Sequence, residues 1–210
     1  MTVAAVKSVR SARKPKGEGH ARRGEILAAA ERIFVQCGYE GATIRKIADE
    51  VGVSSTALYM HFRDKSEILH EICQAAFEKL LDTDLEIIRR RIPAESKVRI
   101  MLEAYMNFGF ENPNAYRLVF LTRPQEAEQG AESVAQDMGR QVFDQFHSCV
   151  KELAEQGRLK TDSTTAAQTL WAGCHGIVSL IITKPYFDWS ARQELSRTML
   201  DALFEGLIRP

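Results

Sequence analysis

The chain is 210 residues long, 45% hydrophobic and 27% charged, with 28 basic against 28 acidic residues and a formal net charge of zero. That length allows a substantial core in one or two domains, and the composition belongs to a soluble globular protein. No apolar run approaches the ~20 residues of a membrane span and no apolar signal core opens the chain, so the reading is a cytoplasmic protein with no membrane partner.

Two further features of composition bear on function. Cys37, Cys73, Cys149 and Cys174 are scattered without C-x-x-C spacing and read as free thiols in a reducing compartment. The zero net charge hides a division: residues 1–70 carry 12 Lys and Arg against 8 Asp and Glu, the remainder 16 against 20. A basic first third followed by an acidic remainder suits a nucleic-acid reader attached to a domain that avoids DNA.

Residues 1–19 hold Lys7, Arg10, Arg13, Lys14 and Lys16 among Ser, Gly and Pro, with almost no large apolar side chain. Such a segment buries too little surface to offset its ordering entropy and reads as a disordered basic tail. It is either a solubilising tail or an arm that tracks phosphates or enters a minor groove. From Ala21 to Cys37, Ile26, Ala29, Ala30, Ile33 and Phe34 mark the apolar face of a first helix, stopped by Gly38.

The stretch Thr43–Lys65 reads as two short helices around a tight turn. Thr43 caps the first, whose Ile47, Ala48 and Val51 recur at three- and four-residue spacing. Gly52 ends it, being tolerant of left-handed backbone angles, and Val53 plugs the core behind the turn. Ser54 caps the second helix, with Leu58 and Phe62 facing inward at i, i+4. Asp64, followed three residues later by Glu67, opens the next helix. This is the helix-turn-helix pattern, and it defines a domain over residues 20–68. Burying Leu58 and Phe62 leaves Ser55, Thr56, Tyr59, Met60 and His61 on the other faces. Small hydroxylated side chains there suit close approach to base edges, and Tyr59, His61 and Lys65 are donors that reach phosphates. A plain helical hairpin with ordinary surface residues accounts for the same pattern.

The helix opened by Asp64 meets no strong breaker before Pro93. Ile68, Leu69, Ile72, Ala76, Phe77, Leu80, Leu81, Leu85 and Ile88 recur along it, a rod of roughly forty ångströms at ~1.5 Å per residue. Lys97 to Phe110 carries Ile100, Met101, Ala104, Tyr105 and Phe108 at helical spacing. Asn112-Pro113 caps a short helix through Tyr116, Leu118, Val119 and Phe120. Residues 124–133 read as a polar loop or frayed helix start. Val134, Met138, Val142, Phe143, Phe146, Val150 and Leu153 mark the next helix, ended by Gly157. Thr161 or Asp162 caps another from Ala166 to about Thr183, and Ser190 caps the last, Leu195 to Ile208. The fold class is all-α: a three-helix head followed by a helical-bundle body over residues 69–210.

Met101, Tyr105, Phe108, Phe120, Met138, Phe143, Phe146 and Trp171 are either bundle core or the lining of an apolar pocket between helices. His175 lies i+4 from Trp171 and is either a buried, hydrogen-bonded structural histidine or a ligand contact. Leu170, Ile177, Val178, Ile181 and Ile182, then Leu195, Met199, Ala202, Leu203 and Leu207, form apolar faces wider than one core needs, which predicts a two-fold four-helix interface. Cys174 and His175 point about 100° apart on a helix, and His147 and Cys149 also lie on different faces, so no metal site is assigned. H-E-x-x-H, Walker and G-x-S-x-G motifs are lacking, and no catalytic residue or cofactor is assigned. An all-α enzyme and an effector-independent architectural DNA-binding protein stand as the alternatives.

The run G-V-S-x-x-x-L-Y-x-H-F-x-x-K from Gly52 to Lys65, preceded by T-x-x-x-I-A from Thr43, closely resembles the DNA-binding domain of TetR-type transcriptional regulators. Gly52, Val53, Ser54, Leu58, Tyr59, His61, Phe62 and Lys65 all match. The resemblance implies that Arg45, Ser55, Thr56 and Ala57 face bases, while Thr43, Tyr59, His61 and Lys65 hold the backbone. Lys46 and Ser54 complete the expected DNA-binding set. The chemistry agrees, because Arg offers a bidentate fork to guanine and an Ala methyl can touch thymine. Trp171 to Gly176 is similar to the Trp…His-Gly signature of a subset of TetR-like effector domains. The family likeness further implies a homodimer on a palindromic operator in double-stranded DNA, acting by repression. The apolar and aromatic set itself points to a small, largely hydrophobic effector held by Met101, Tyr105, Phe108, Phe120, Phe143, Phe146, Trp171 and His175, with His175 or Tyr105 supplying a polar contact.

Overall fold

A computed structural model of the chain describes residues 19–121 and 129–209. The basic tail read over 1–19 lies outside them except for Gly19, as do residues 124–128 of the polar loop read over 124–133. The described residues are helices joined by turns, with one isolated backbone bridge between Leu159 and Ile208. They divide into two compact units, the first built from the described residues up to Ile72 together with 129–132, the second from those of 73–122 and 133–210.

In the first unit, α1 spans Gly19–Gly41 and buries Ile26, Ala29, Ala30, Ile33 and Phe34. Gly38, at φ 71° and ψ 167°, breaks the helical path there, as the glycine signal predicts. Helix α2 (Ile44–Val51) starts where Thr43 Oγ1 accepts the Lys46 N–H at 3.2 Å. It ends at Gly52 (φ 74°, ψ 33°), whose N–H reaches the carbonyls of Ala48 and Asp49. Ser54 Oγ accepts the Ala57 N–H at 3.1 Å and opens α3 (Ser55–Tyr59). Leu58 and Phe62 are both buried, but α3 stops at Tyr59 and Phe62 arrives in the following turn. The cause is the cap of the next helix. Asp64 Oδ1 takes the Glu67 N–H at 2.8 Å and Glu67 Oε2 takes the Arg63 N–H at 2.6 Å, which requires non-helical backbone between the two elements.

Helix α4 (Lys65–Ile88) begins in the first unit and continues in the second. Its 24 residues span about 36 Å. It ends short of Pro93, consistent with the restriction a proline places on the residue before it, and Arg90 N–H closes a tighter turn on the Ile87 carbonyl at 3.0 Å. The buried stripe runs through Ile68, Leu69, Ile72, Ala76, Leu80, Asp84 and Ile87. This corrects the expected path through Leu85, which is exposed.

The second unit continues with α5 (Ala94–Glu111), α6 (Pro113–Tyr116) running into a π-helical segment at Arg117–Leu121, α7 (Gln129–Glu155), α8 (Ser163–Thr183) and α9 (Arg192–Leu207). Val98, Met106, Tyr116, Val150, Leu153, Leu170, Cys174, Val178 and Leu200 are among its core residues. Asp162, not Thr161, caps α8, accepting the Thr165 N–H at 2.9 Å. Asn112 makes no side-chain cap for α6; its Nδ2 donates instead to the Phe108 carbonyl at 2.9 Å, closing α5. Ser190 does not cap α9, which starts at Arg192 after Ala191. Helix α8, at 21 residues, is long and apolar enough by length and composition to cross a membrane, but it packs as a core helix against α5 and α9. The sequence reading passed over it because Thr, Gly, Ser and His interrupt the apolar run.

Two glycines set the spacing of these helices. A Cβ on Gly109 would meet Val178 Cγ1 and, at 2.9 Å, Tyr116 Cδ2, so α5 and α8 approach where only hydrogen fits. A Cβ on Gly173 would stand 2.7 Å from Leu203 Cδ1 and 3.1 Å from Met199 Sδ. Leu203 therefore packs on its own chain's α8 across α9.

Candidate nucleic-acid interface and effector pocket

The head presents its candidate DNA contacts on a surface whose supports are buried. Leu58 is fully buried, while Thr56 and Ala57 are exposed, Tyr59 is 55% exposed and Met60 83% exposed. Ser54 is exposed, and Ser55 and His61 are half-buried. On α2, Thr43, Arg45 and Lys46 are exposed. Among the described residues Arg45 pairs with Asp49, at 3.9 Å, and both side chains are largely in solvent. Such a pair contributes little and leaves the guanidinium available to a base edge.

Two of the expected DNA contacts carry internal work as well. Lys46 Nζ donates to the Gly41 carbonyl at 2.7 Å. Lys65 Nζ donates to the Tyr39 carbonyl at 3.0 Å, sits 4.1 Å above the Tyr39 ring and lies 3.8 Å from Glu40. An ammonium has three donors, so one internal bond does not remove it from a phosphate. The sequence reading missed Arg23. Its guanidinium pairs with both carboxylate oxygens of Glu71, donates to the His61 carbonyl and stacks 4.0 Å over the Phe62 ring. It fastens α1 to the turn that ends the helix-turn-helix. Arg63, whose side chain is 87% exposed, is a further cation on this face.

In the second unit a cavity of about 50 Å³, open to solvent at its mouth, lies among α4, α5, α7, α8 and the π-helical segment. Of the expected ligand contacts, Met101, Tyr105, Phe120, Phe143, Phe146 and Trp171 line it. Phe108 and His175 do not. Phe108 is core, with Lys79 Nζ 5.6 Å from its ring centre. Phe77, Leu80, Asp84, Leu102, Gly139 and Val142 complete the lining and were not anticipated. Phe77 meets Phe120 edge-on at 5.8 Å, and Phe143 lies 5.8 Å from Trp171. A Cβ on Gly139 would stand in ordinary contact with Phe77, 3.4 Å from its Cζ.

His175 belongs instead to a buried polar cluster. Its Nδ1 lies 2.7 Å from the Tyr116 hydroxyl and 3.3 Å from that of Tyr105, and the two hydroxyls are 2.9 Å apart. Burial lowers the His175 pKa and raises that of Tyr105 to about 12, so all three groups are neutral at pH 7. The histidine is thus hydrogen-bonded within the unit, as the first of its two readings expects.

Asp84 is the exception in the cavity wall. It is 7% exposed, and among the described residues no hydrogen-bond donor or cation pairs with it. Burial pushes its carboxyl up to about 7. No group of three or more metal-ligating side chains occurs among the described residues.

A capped helix-turn-helix in one chain with an all-α unit that holds an apolar cavity defines a one-component DNA-binding regulator. The comparisons agree. Residues 26–72 match the family model of bacterial regulatory proteins of the tetR family. Residues 98–203, half of the chain, match the tetracyclin repressor-like C-terminal domain. The chain belongs to the TetR family and is a DNA-binding transcriptional regulator. It is 35% identical over 124 residues to the HTH-type transcriptional activator FasR of Mycolicibacterium smegmatis, covering 57% of this chain and about half (55%) of FasR. It is 25% identical over 194 residues to the nucleoid occlusion factor SlmA of Citrobacter koseri, covering 85% of this chain and 94% of SlmA. Its fold is that of the TetR-family regulator PfmR of Thermus thermophilus (TM-score 0.73, 23% identity, 90% and 98% of the two chains). The fold is also shared with SmeT in its triclosan complex (TM-score 0.72, 21% identity, 90% and 92%). TetR-family regulators are generally non-enzymatic, soluble DNA-binding proteins.

The buried acid has a measurable consequence. A folded-state pKa raised from 3.8 to about 7 means the folded chain holds a proton that the unfolded chain releases between those values. Stability from this group is therefore full below about pH 4 and is lost as pH rises toward 7. At ~1.36 kcal/mol per unit, the stability difference between Asp84→Asn and the native chain should grow by up to about 4 kcal/mol from pH 4 to pH 8, in favour of the variant. Urea melts of both proteins across that range measure it. A difference that stays constant with pH would refute the assignment.

Proposed function

We propose that two copies of this chain bind a palindromic operator in double-stranded DNA in the cytoplasm, and that a small, largely hydrophobic effector releases them. The observation that carries the DNA reading is the exposed row of Arg45, Thr56, Ala57, Tyr59 and Met60 over the fully buried Leu58. Exposed side chains held on a packed support, with Arg45 in only a weak surface pair with Asp49, suit direct readout. The aromatic cavity supports the effector reading over an effector-independent one, and the continuity of α4 from the first unit into the second supports coupling. Because linkage is reciprocal, a coupling of about 1–3 kcal/mol would weaken operator binding roughly 5- to 150-fold. We assign the output to repression by occlusion of a promoter.

Dimerisation is assigned to α8 and α9. Ala172, Gly176 and Leu180 share one face of α8 at i, i+4, i+8, and Leu180 is 46% exposed. Gly176 and, on α9, Gly206 have open space where a Cβ would stand, and Ala202 is exposed. A second copy can approach closely there. Leu203 is the weaker probe of this face, since it packs on Gly173 of its own chain.

Three outcomes are expected. Arg45→Ala should cost about 1–3 kcal/mol on the preferred site and relax base choice at one position per half-site. In-vitro site selection reads this directly, and an unchanged sequence preference in the variant rules the role out. A reporter under the selected operator should rise when the regulator gene is deleted, whereas a fall would make the protein an activator. Leu180→Glu should scatter light as a monomer where the native chain scatters as a dimer. A native chain that is monomeric at micromolar concentration defeats the dimer.

A further inference from the structure

Asp84 gives the cavity a chemical preference that its apolar walls alone do not have. The rings of Phe77, Phe120, Phe143, Phe146 and Trp171 line it, together with one carboxyl and one hydroxyl. The hydroxyl, on Tyr105, is already engaged with Tyr116 and His175. Among the described residues the carboxyl is not, and the lining contains no Lys, Arg or His. Three other cations of the unit are paired with carboxylates other than Asp84: Lys97 with Glu152, Arg99 with Asp201 and Arg158 with Glu95. A buried carboxyl with no cation to satisfy it either stays protonated or awaits a positive partner. Aromatic faces around it favour a cation over an anion. A carboxylate-headed ligand would instead meet like charge and find no basic side chain in the lining.

We infer that the cavity is a site for a lipophilic organic cation, an apolar or aromatic body carrying a protonated amine that pairs with Asp84. This rests on the effector-pocket reading and narrows it. The amine supplies the partner that Asp84 lacks among the described residues, and the apolar body occupies the space between Phe120, Phe143 and Trp171.

The test uses the full chain at pH 7.5 and three probes of equal length below their micelle concentrations: decylamine, 1-decanol and decanoate. Calorimetry gives the affinities. Decylamine should bind about 10- to 100-fold more tightly than 1-decanol, the scale of a charge-assisted bond, with decanoate weakest. Asp84→Asn should collapse the decylamine-to-decanol ratio towards one, and Asp84→Ser serves if the amide variant does not fold. The native-chain ratios stand without either variant. Equal affinities, decanoate in the lead, or a decylamine preference that survives removal of the carboxyl overturns the inference while decanol binding keeps the pocket. No saturable binding by any probe overturns both.

Discussion

The phase of α4 is the constraint on which most of this structure depends. One helix contributes Ile68, Leu69 and Ile72 to the core of the first unit and Ala76, Leu80 and Ile87 to the core of the second. A helix with 3.6 residues per turn has no freedom to rotate its stripe partway along. Once those six positions face inward, position 84 must face inward as well. Asp84 is therefore buried by its neighbours' packing and not by any attraction of its own, which accounts for a carboxyl that has no internal partner.

Around that stripe, the cavity exists because the second unit is tight in one place and open in another. Gly109 lets α5 and α8 come to contact distance through Val178 and Tyr116. The close approach brings Tyr105 and Tyr116 onto His175, where three polar groups satisfy one another and remain neutral. A satisfied buried network fixes side-chain positions, whereas half-satisfied groups would draw in water. Beside that cluster the large rings meet edge-on, at centroid distances of 5.6 Å for Tyr105–Phe120 and 6.4 Å for Phe143–Phe146. Rings set edge to face leave gaps that aliphatic side chains would fill.

What the sequence made legible was local. The caps at Thr43, Ser54, Asp64 and Asp162 and the turns at Gly38 and Gly52 lie where the residue types predict, because a cap is an interaction between residues three apart. Six of the eight expected pocket residues line the cavity, since large apolar side chains at helical spacing must face inward. The misreadings have tertiary causes. Leu85 outranked Asp84 as a core candidate because hydropathy alone cannot supply the phase that distant packing imposes. Asn112 and Ser190 are good capping residues in the wrong geometry: one closes the helix before it, the other stands outside the helix start. The second role of Lys65 was invisible because its partner, the Tyr39 carbonyl, is 26 residues away. A near-continuous three- and four-residue rhythm that is kept through a charged residue, as from Leu80 through Asp84 to Ile87, was the one signal that could have found the acid.

The head handles its cations in two opposite ways, and this separates reading DNA from holding the fold. The cations that shape the structure are partly screened from water. Arg23 is clamped by Glu71 over Phe62, and Lys65 is tucked over Tyr39 with its side chain 24% exposed. Arg45 and Arg63 are in solvent at 86% and 87%, and their partners Asp49 and Glu67 lie within one helical turn. Exposed pairs of that kind contribute about 0.3–0.5 kcal/mol, so a phosphate or a guanine edge can displace the carboxylate without unfolding anything. The clamped cations cannot leave in that way, because each also fixes a backbone carbonyl, of His61 or of Tyr39. The head can therefore exchange partners at its surface while its support stays unchanged, which is what a regulator that binds and releases DNA requires.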